Sequence, residues 1–366
     1  MAPEQDGRPA AARARADFLR QVGTDIFVGC GAPLAEAILV ASELVEANLM
    51  GYDSHGIVRC NEYVDYVKRG RISPGAAHRV VREHRNTAVV DCGLNFGQVG
   101  ATYMTDLACG KALDGGIAYV VSTRCSHVGR VGSYVQRAAE KGFLALATCN
   151  NQKAGHIVAP WGGREGRLGT NPLAFAAPTG RWPVVLDMTT CMIAGGKLNM
   201  LKLAGKPAPR GTIQDVDGNP STDPAVITAL SLDPSAPSGT ILPFASEYGY
   251  KGYGLSMMVE IMGGIMAGLD MTQDNPGANG FAVIVMDPDA FCGKSELRRL
   301  VDTLCAYQMS SAPAPGFSEV VVPGLYDFRL KEKRTVEGIP IEGSVWDLVI
   351  EAGKRVGVQV PPTVGA

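Results

Sequence analysis

Apolar positions along residues 17–50 recur at helical spacing. Phe18, Val22 and Ile26 begin one face. Pro33 suits a first helical turn, and Leu34, Ala37, Ile38, Ala41, Leu44 and Val45 continue a stripe behind it. A third helix is predicted over 59–68, carrying Tyr63, Tyr66 and Val67. After residue 80 the period changes. Residues 88–91 form a short apolar run, 99–113 a helix closed by Asp114-Gly115-Gly116, and 117–122 a buried strand. Another helix covers 132–141, stopped by Gly142, and another strand 143–148. Strand, helix, strand with short turns is the mark of a parallel βαβ unit. Further strands are expected at 173–176, 184–187 and 282–286. The most apolar stretch, 254–269, is too short to span a membrane and contains Glu260, so it reads as a buried core helix. Residues 205–246 are rich in Gly, Pro, Asp and Ser and read as irregular. From Pro313 the α/β pattern stops, and 345–356 is a final helix. The pattern leaves open whether the two ends pack together.

A chain of 366 residues with 46% hydrophobic and 19% charged positions is ordinary for a globular protein of about two domains. The net charge of −2 lacks the basic footprint that nucleic acid or an anionic membrane surface would favour. No apolar run resembling a secretion signal opens the sequence, and Glu4, Asp6 and Asp17 offset Arg8, Arg13 and Arg15 against an organellar leader. The nine cysteines are scattered with no CxxC, which points to reduced thiols and a cytoplasmic setting. None of the five histidines pairs with another at i+2 or i+4, so no metal site is expected.

Several clusters could carry chemistry. Asp53-Ser54-His55-Gly56-Ile57-Val58-Arg59 places a hydroxyl, an imidazole and a guanidinium at a helix junction. Arg59 could clamp a carboxylate through two parallel hydrogen bonds, while a capping Ser or Asp followed by a surface Arg is the plainer alternative. Ser54 and His55 are not expected to form a nucleophilic dyad, because neighbouring side chains usually diverge. Ser126-His127-Val128-Gly129-Arg130-Val131-Gly132 follows a buried strand at its carboxyl end, where α/β proteins place ligands. His127 there could exchange a proton near neutral pH; a turn with the ring tucked under the sheet is the alternative. The stretch lacks GxGxxG, and the next strand ends in Thr148-Cys149-Asn150 without a ribose-binding acid, so a Rossmann fold is disfavoured. Asn150-Asn151, Pro160-Trp161-Gly162-Gly163, Gly169-Thr170-Asn171-Pro172, Leu186-Asp187-Met188-Thr189-Thr190 and Tyr250-Lys251-Gly252 add turn and strand-end polar groups. Lys251 beside glycines at a helix start suits a phosphate.

Taken in order, DSHGIVR (53–59), SHVGRVGSY (126–134), APWGG (159–163), LGTNPLAFAAP (168–178), VLDMTT (185–190), STDP (221–224), YKGYGLSMMVEIMGG (250–264) and PGLYDFR (323–329) resemble the malate/L-lactate dehydrogenase family. The resemblance implies an α/β fold in which a non-Rossmann nicotinamide-binding domain, 81–309, is inserted in a helical domain built from both termini, 1–80 plus 310–366. It implies a homodimer, NAD or NADP as cofactor, and a small 2-oxo or 2-hydroxy acid as substrate. On the same basis His127 matches a proton acceptor, His55 with Ser54 an orienting pair, and Arg59 a carboxylate ligand. Ser126, Gly129, Asn151, Thr170, Asn171, Asp187, Met188, Thr189, Lys251 and Gly252 fall in cofactor-lining segments. Three positions depart from the family pattern. Cys191 replaces a small hydroxyl residue, Thr189 a common Ala, and 244–248 lacks a glycine pair. The implied reaction is hydride transfer between a nicotinamide and C2 of the acid. Reduction of a cyclic imine such as pyrroline- or piperideine-2-carboxylate, and a non-catalytic nicotinamide-binding role, are the rival readings.

Overall fold

Helical and strand periods resolve into discrete elements in the computed structural model, which describes residues 12–203, 205–228, 237–273 and 279–364. The charge reading of residues 1–11 and residues 229–236 of the irregular segment lie outside the described residues. In chain order the elements are β1 (Ala12–Ala14), α1 (Ala16–Gly29), α2 (Leu34–Leu49), α3 (Arg59–Lys68), β2 (Arg79–His84), β3 (Thr87–Asp91) and α4 (Gly97–Gly115). There follow β4 (Ile117–Thr123), α5 (Gly132–Glu140), β5 (Leu144–Asn150), β6 (Leu173–Ala177), β7 (Val184–Met188), α6 (Gly195–Leu203), β8 (Ile213–Gln214) and β9 (Pro220–Ser221). The last are β10 (Thr240–Ile241), α7 (Tyr250–Met262), β11 (Gly280–Met286), α8 (Lys294–Met309), α9 (Leu325–Glu337), β12 (Ile339–Ile341) and α10 (Gly343–Arg355). The chain divides into two compact units, 1–70 with 327–366, and 71–326.

In the first unit, Leu19, Val22, Ile26 and Phe27 of α1 and Ala37, Val40, Ala41, Leu44 and Val45 of α2 are buried. Leu34 and Ile38, expected on the α2 stripe, are instead exposed, because the buried arc runs through 37, 40, 41, 44 and 45. Phe27 meets Tyr63 of α3 at a centroid distance of 6.2 Å, and Phe18 meets Trp346 of α10 at 5.8 Å. An antiparallel pair, Ala12↔Ile341 to Ala14↔Ile339, ties the first described residues to the C-terminal segment.

The second unit is built on a seven-stranded mixed sheet of order β2-β3-β4-β11-β5-β6-β7. β3 and β4 are parallel neighbours across α4, the expected right-length crossover. The next predicted unit is different. β4 and β5 run in the same direction but do not pair, because β11 lies between them, antiparallel to both. Local periodicity could not show this, since β11 arrives far later in the chain than β5 and its apolar run fits any buried position. α4 buries Ala101, Met104, Ala108 and Ala112, and α5 buries Tyr134, Val135 and Ala138. Tyr134 sits edge-on to Phe281 of β11 at 5.1 Å.

Two further expectations change. Residues 205–246 are not wholly irregular: β8, β9 and β10 form a small sheet, and Ile213, Ile227 and Ile241 join Ile157, Val158, Leu168 and Leu198 in a second apolar cluster. The 254–269 stretch is not a wholly buried helix. α7 buries Gly252, Ser256, Val259 and Glu260, while Met257, Ile261, Ile265 and Met266 are exposed. Its inward face carries Val259 beside the polar groups described next, while Met257 and Ile261 take the opposite side. α8 and α9 were not visible in the periodicity; α8 has no buried residue. No described helix is long and apolar enough to cross a membrane.

Candidate active site

Strand register brings the polar turns of the second unit to one edge of the sheet. Thr123, the last residue of β4, lies beside Asp91 of β3. Asn150 at the end of β5 faces Gly280 at the start of β11. Thr148 pairs with Leu173 at the start of β6, and Leu173 pairs with Met188 at the end of β7. The segments after β4, β5 and β7 and before β6 therefore leave the sheet together. They carry Ser126, His127, Gly129, Asn151, Thr170, Asn171 and Thr189, with Met188 ending β7 beside them, and backbone pairing sets where each segment leaves the sheet.

His127 is half-buried in the turn between β4 and α5. The turn is held from three sides. Ser126 is buried and its hydroxyl donates to the carbonyls of Leu94 (3.3 Å) and Arg71 (3.4 Å). Tyr134 Oη donates to the Val128 carbonyl. Asp187 of β7 accepts the Gly132 N–H at 3.0 Å and faces Arg130 Nε at 3.4 Å. Arg130 is almost wholly buried and also donates to Gln136 Oε1 at 3.1 Å. A Cβ on Gly132 would lie 2.6 Å from Asp187 Oδ2, so the missing side chain admits Asp187 rather than a ligand. Asp187, expected on the cofactor, is thus engaged with the histidine turn, and Ser126 with the backbone. Gly129 is half-buried within the same turn.

The neighbouring loops are zipped together. Thr190 N–H donates to the Thr170 carbonyl (3.1 Å), Thr190 Oγ1 to the Asn171 carbonyl (3.0 Å), and Phe244 N–H to the Thr190 carbonyl (3.0 Å). Thr189 Oγ1 donates to the Cys191 carbonyl at 3.3 Å. Gly252 is buried against Phe244, whose backbone would lie 2.4 Å from an added Cβ. The missing side chain permits this close approach. Lys251 is exposed, its ammonium 5.3 Å from the Tyr248 ring. Ala245 and Ser246 have φ of 83° and 48°. A left-handed conformation costs a non-glycine residue roughly 1–2 kcal/mol, so this loop is strained where it approaches Lys251.

Ser133 Oγ, Gln152 Oε1 and Asn171 Oδ1 are buried and lack a hydrogen-bond partner among the described residues. They belong to the start of α5, the segment after β5 and the segment before β6. Buried polar groups are normally paired. Three such groups on the segments leaving one sheet edge fit a ligand rich in amide, hydroxyl and phosphate groups, as a nicotinamide nucleotide is.

Ser54, His55 and Arg59 lie in the other unit. The expected divergence of Ser54 and His55 fails, because the short turn Asp53–His55 brings Ser54 Oγ within 3.1 Å of His55 Nδ1. The capping alternative fails too: neither Asp53 nor Ser54 caps α3. Asp53 instead accepts from Asn48 Nδ2 (2.8 Å) and from both terminal nitrogens of Arg334 (2.8 and 3.1 Å). Arg59 donates from Nε to the Ser54 carbonyl at 2.7 Å and pairs with Glu62. Burial, the largest single influence, lowers the Arg59 pKa, but the charge and hydrogen bond of Glu62 together with Tyr63 and Tyr66 outweigh it, so the guanidinium stays charged. A substrate carboxylate would compete with Glu62 for it. Sequence reasoning missed Asn48, which is buried and receives the Ile57 N–H at 2.8 Å. A polar residue continuing the buried α2 arc was the available signal. Arg334 gave none, 281 residues away from Asp53.

Comparison with known proteins adds a separate line. The malate/L-lactate dehydrogenase family pattern matches residues 14–349. The L-sulfolactate dehydrogenase of Methanocaldococcus jannaschii is 34% identical over 343 residues, covering 92% of this chain and 95% of its own. The malate dehydrogenase structure from Pyrococcus horikoshii superposes with a TM-score of 0.86 at 32% identity, covering 99% of this chain and 100% of that one. The Δ1-piperideine-2-carboxylate reductase of Pseudomonas syringae superposes at 0.77 with 28% identity, covering 93% and 99%.

The contact between Asp187 and Arg130 yields a direct test. Asp187→Asn keeps an acceptor for Gly132 but leaves the buried Arg130 charge uncompensated, and should cost about 3 kcal/mol of unfolding free energy. Urea denaturation measures it. A loss below about 1 kcal/mol, the value of an exposed pair, would show that Asp187 does not brace the histidine turn.

Proposed function

The chain belongs to the malate/L-lactate dehydrogenase family, and from that premise we propose that it moves hydride reversibly between NAD or NADP and C2 of a small 2-hydroxy or 2-oxo acid. The observation that carries the proposal is His127, half-buried in a braced turn on the sheet edge where three buried polar groups stand unpartnered. When bound, the nicotinamide supplies the hydride acceptor or donor. The imidazole of His127 takes the hydroxyl proton during oxidation and returns it during reduction. Arg59 binds the substrate carboxylate, a task for which a planar guanidinium is suited. His55, its ring tied to Ser54, orients the C2 oxygen. Ser133, Gln152 and Asn171, with Asn151, Thr170, Met188, Thr189 and Lys251, hold the cofactor.

A second reading keeps the site and changes the bond, to reduction of a cyclic imino acid. The structural likeness to a piperideine-2-carboxylate reductase favours it. Assaying 2-oxo acids against pyrroline- and piperideine-2-carboxylate, each with NADH and NADPH, separates the two.

We also infer a homodimer. α8 has no buried residue, yet Leu300, Leu304 and Tyr307 are apolar and exposed. Such a helix gains stability mainly by burying a face, and exposed apolar surface marks an interface. Light scattering at micromolar concentration should give twice the chain mass; a monomer mass would remove the inference.

The two histidines should differ in kinetics. His127→Gln should lose kcat by about 10²–10⁴-fold while still binding NADH or NADPH. His55→Gln should keep measurable turnover with a raised KM for the acid. Reversed phenotypes would exchange the two roles. Changes below tenfold in both would sink the mechanism.

A further inference from the structure

We propose that Glu260 is a positioning residue, one buried carboxylate that locks the turn after β5 to the turn before β6. The proposal rests on the reading above in one respect, that these turns face the cofactor. Glu260 lies on the inward face of α7, 6% exposed. Its Oε1 accepts Asn171 Nδ2 at 2.8 Å, and its Oε2 accepts Asn150 Nδ2. The Gly169 N–H also donates to it. Burial raises its pKa, and these neutral donors pull it back.

Both asparagines are fully buried, and of their side-chain polar atoms all but Asn171 Oδ1 have a partner among the described residues. Each stands next to a half-buried residue, Asn151 and Thr170 respectively. Asn171 has a φ of 42°, a turn conformation that needs holding. A carboxylate only accepts, so it forces both carboxamides to present nitrogen. The Asn150 oxygen is then left for the Gly264 N–H at 3.1 Å, and the Asn171 nitrogen also reaches Ser256 Oγ at 3.0 Å and the Ser256 carbonyl at 3.3 Å. Turning either amide over would break those second bonds. Turning Asn150 would set a donor against the Gly264 donor, and turning Asn171 would set its oxygen against the Ser256 carbonyl. Space is also short, since a Cβ on Gly280 would lie 2.1 Å from Asn150 Oδ1. The carboxylate thus fixes two side-chain orientations and, through them, two turns.

Glu260→Gln keeps the volume but offers one acceptor and one donor, so one turn must loosen. Three measurements follow: cofactor affinity by NADH and NADPH fluorescence, steady-state kinetics, and hydrogen–deuterium exchange over 150–152 and 169–171. The variant should bind cofactor at least about tenfold more weakly, the scale of one charge-assisted hydrogen bond. The acid KM at saturating cofactor should change much less, and exchange should rise in one or both turns. Asn150→Asp added to Glu260→Gln restores a donor–acceptor pair, with the introduced glutamine amide donating to the introduced carboxylate, and should recover most of the lost affinity. Unchanged affinity with unchanged exchange would overturn the proposal. So would equal losses in every kinetic constant without rescue, the sign of general packing. If the unmodified protein bound neither cofactor, the functional reading would fail, and exchange in the two turns would still decide the role of Glu260.

Discussion

Insertion of β11 between β4 and β5 sets the geometry on which the second unit depends. Because β11 is antiparallel to both, β4 and β5 point the same way although they never pair. Antiparallel β6 and β7 then bring the start of one and the end of the other to the same edge. Four loops emerge there, and ladder hydrogen bonds set where each of them leaves the sheet. An open Rossmann sheet gathers its loops by parallel strands and a switch in strand order; here a central antiparallel strand does it.

Loops so gathered still need bracing, and buried polar groups supply it. Asp187 reaches across from β7 to the Gly132 N–H and to Arg130, holding the His127 turn. Glu260 reaches from α7 to Asn150 and Asn171. In the other unit Asn48 and Arg334 hold Asp53, and with it the turn carrying Ser54 and His55. Asp187, Glu260 and Asn48 have little exposure to water, where an unpaired polar group is costly. Each therefore favours one arrangement of its turn. The strained Ala245-Ser246 pair is held in the same way, by the Phe244 bond to Thr190 and the packing of Gly252.

Much of this was legible in the chain. The helical stripes at 17–50 and 59–68 and the strand runs at 117–122, 143–148 and 184–187 mark real elements, because each is a local apolar stripe or run. His127 could be singled out because a strand, a glycine turn and a helix start are all local signals. What could not be read depends on distant partners. β11 has the same apolar run whether it pairs at the edge or the centre. Asp187 looks like a strand-end ligand until Gly132 and Arg130 are seen against it. Glu260 looks like a blemish in an apolar helix, and its neighbours Met257 and Ile261 look buried, until Asn150 and Asn171 fix which side of α7 faces inward. Arg59 reads as a clamp from its type alone; Glu62, only three residues on, already occupies part of it.

The central claim is that this sheet edge binds a nicotinamide nucleotide. A crystal structure of the protein grown with NADH or NADPH tests it most directly. The account predicts the nucleotide against the segments after β4, β5 and β7 and before β6, with Ser133, Gln152 or Asn171 hydrogen-bonded to it. A nucleotide bound elsewhere, with Ser133 Oγ, Gln152 Oε1 and Asn171 Oδ1 still without a partner, would contradict it.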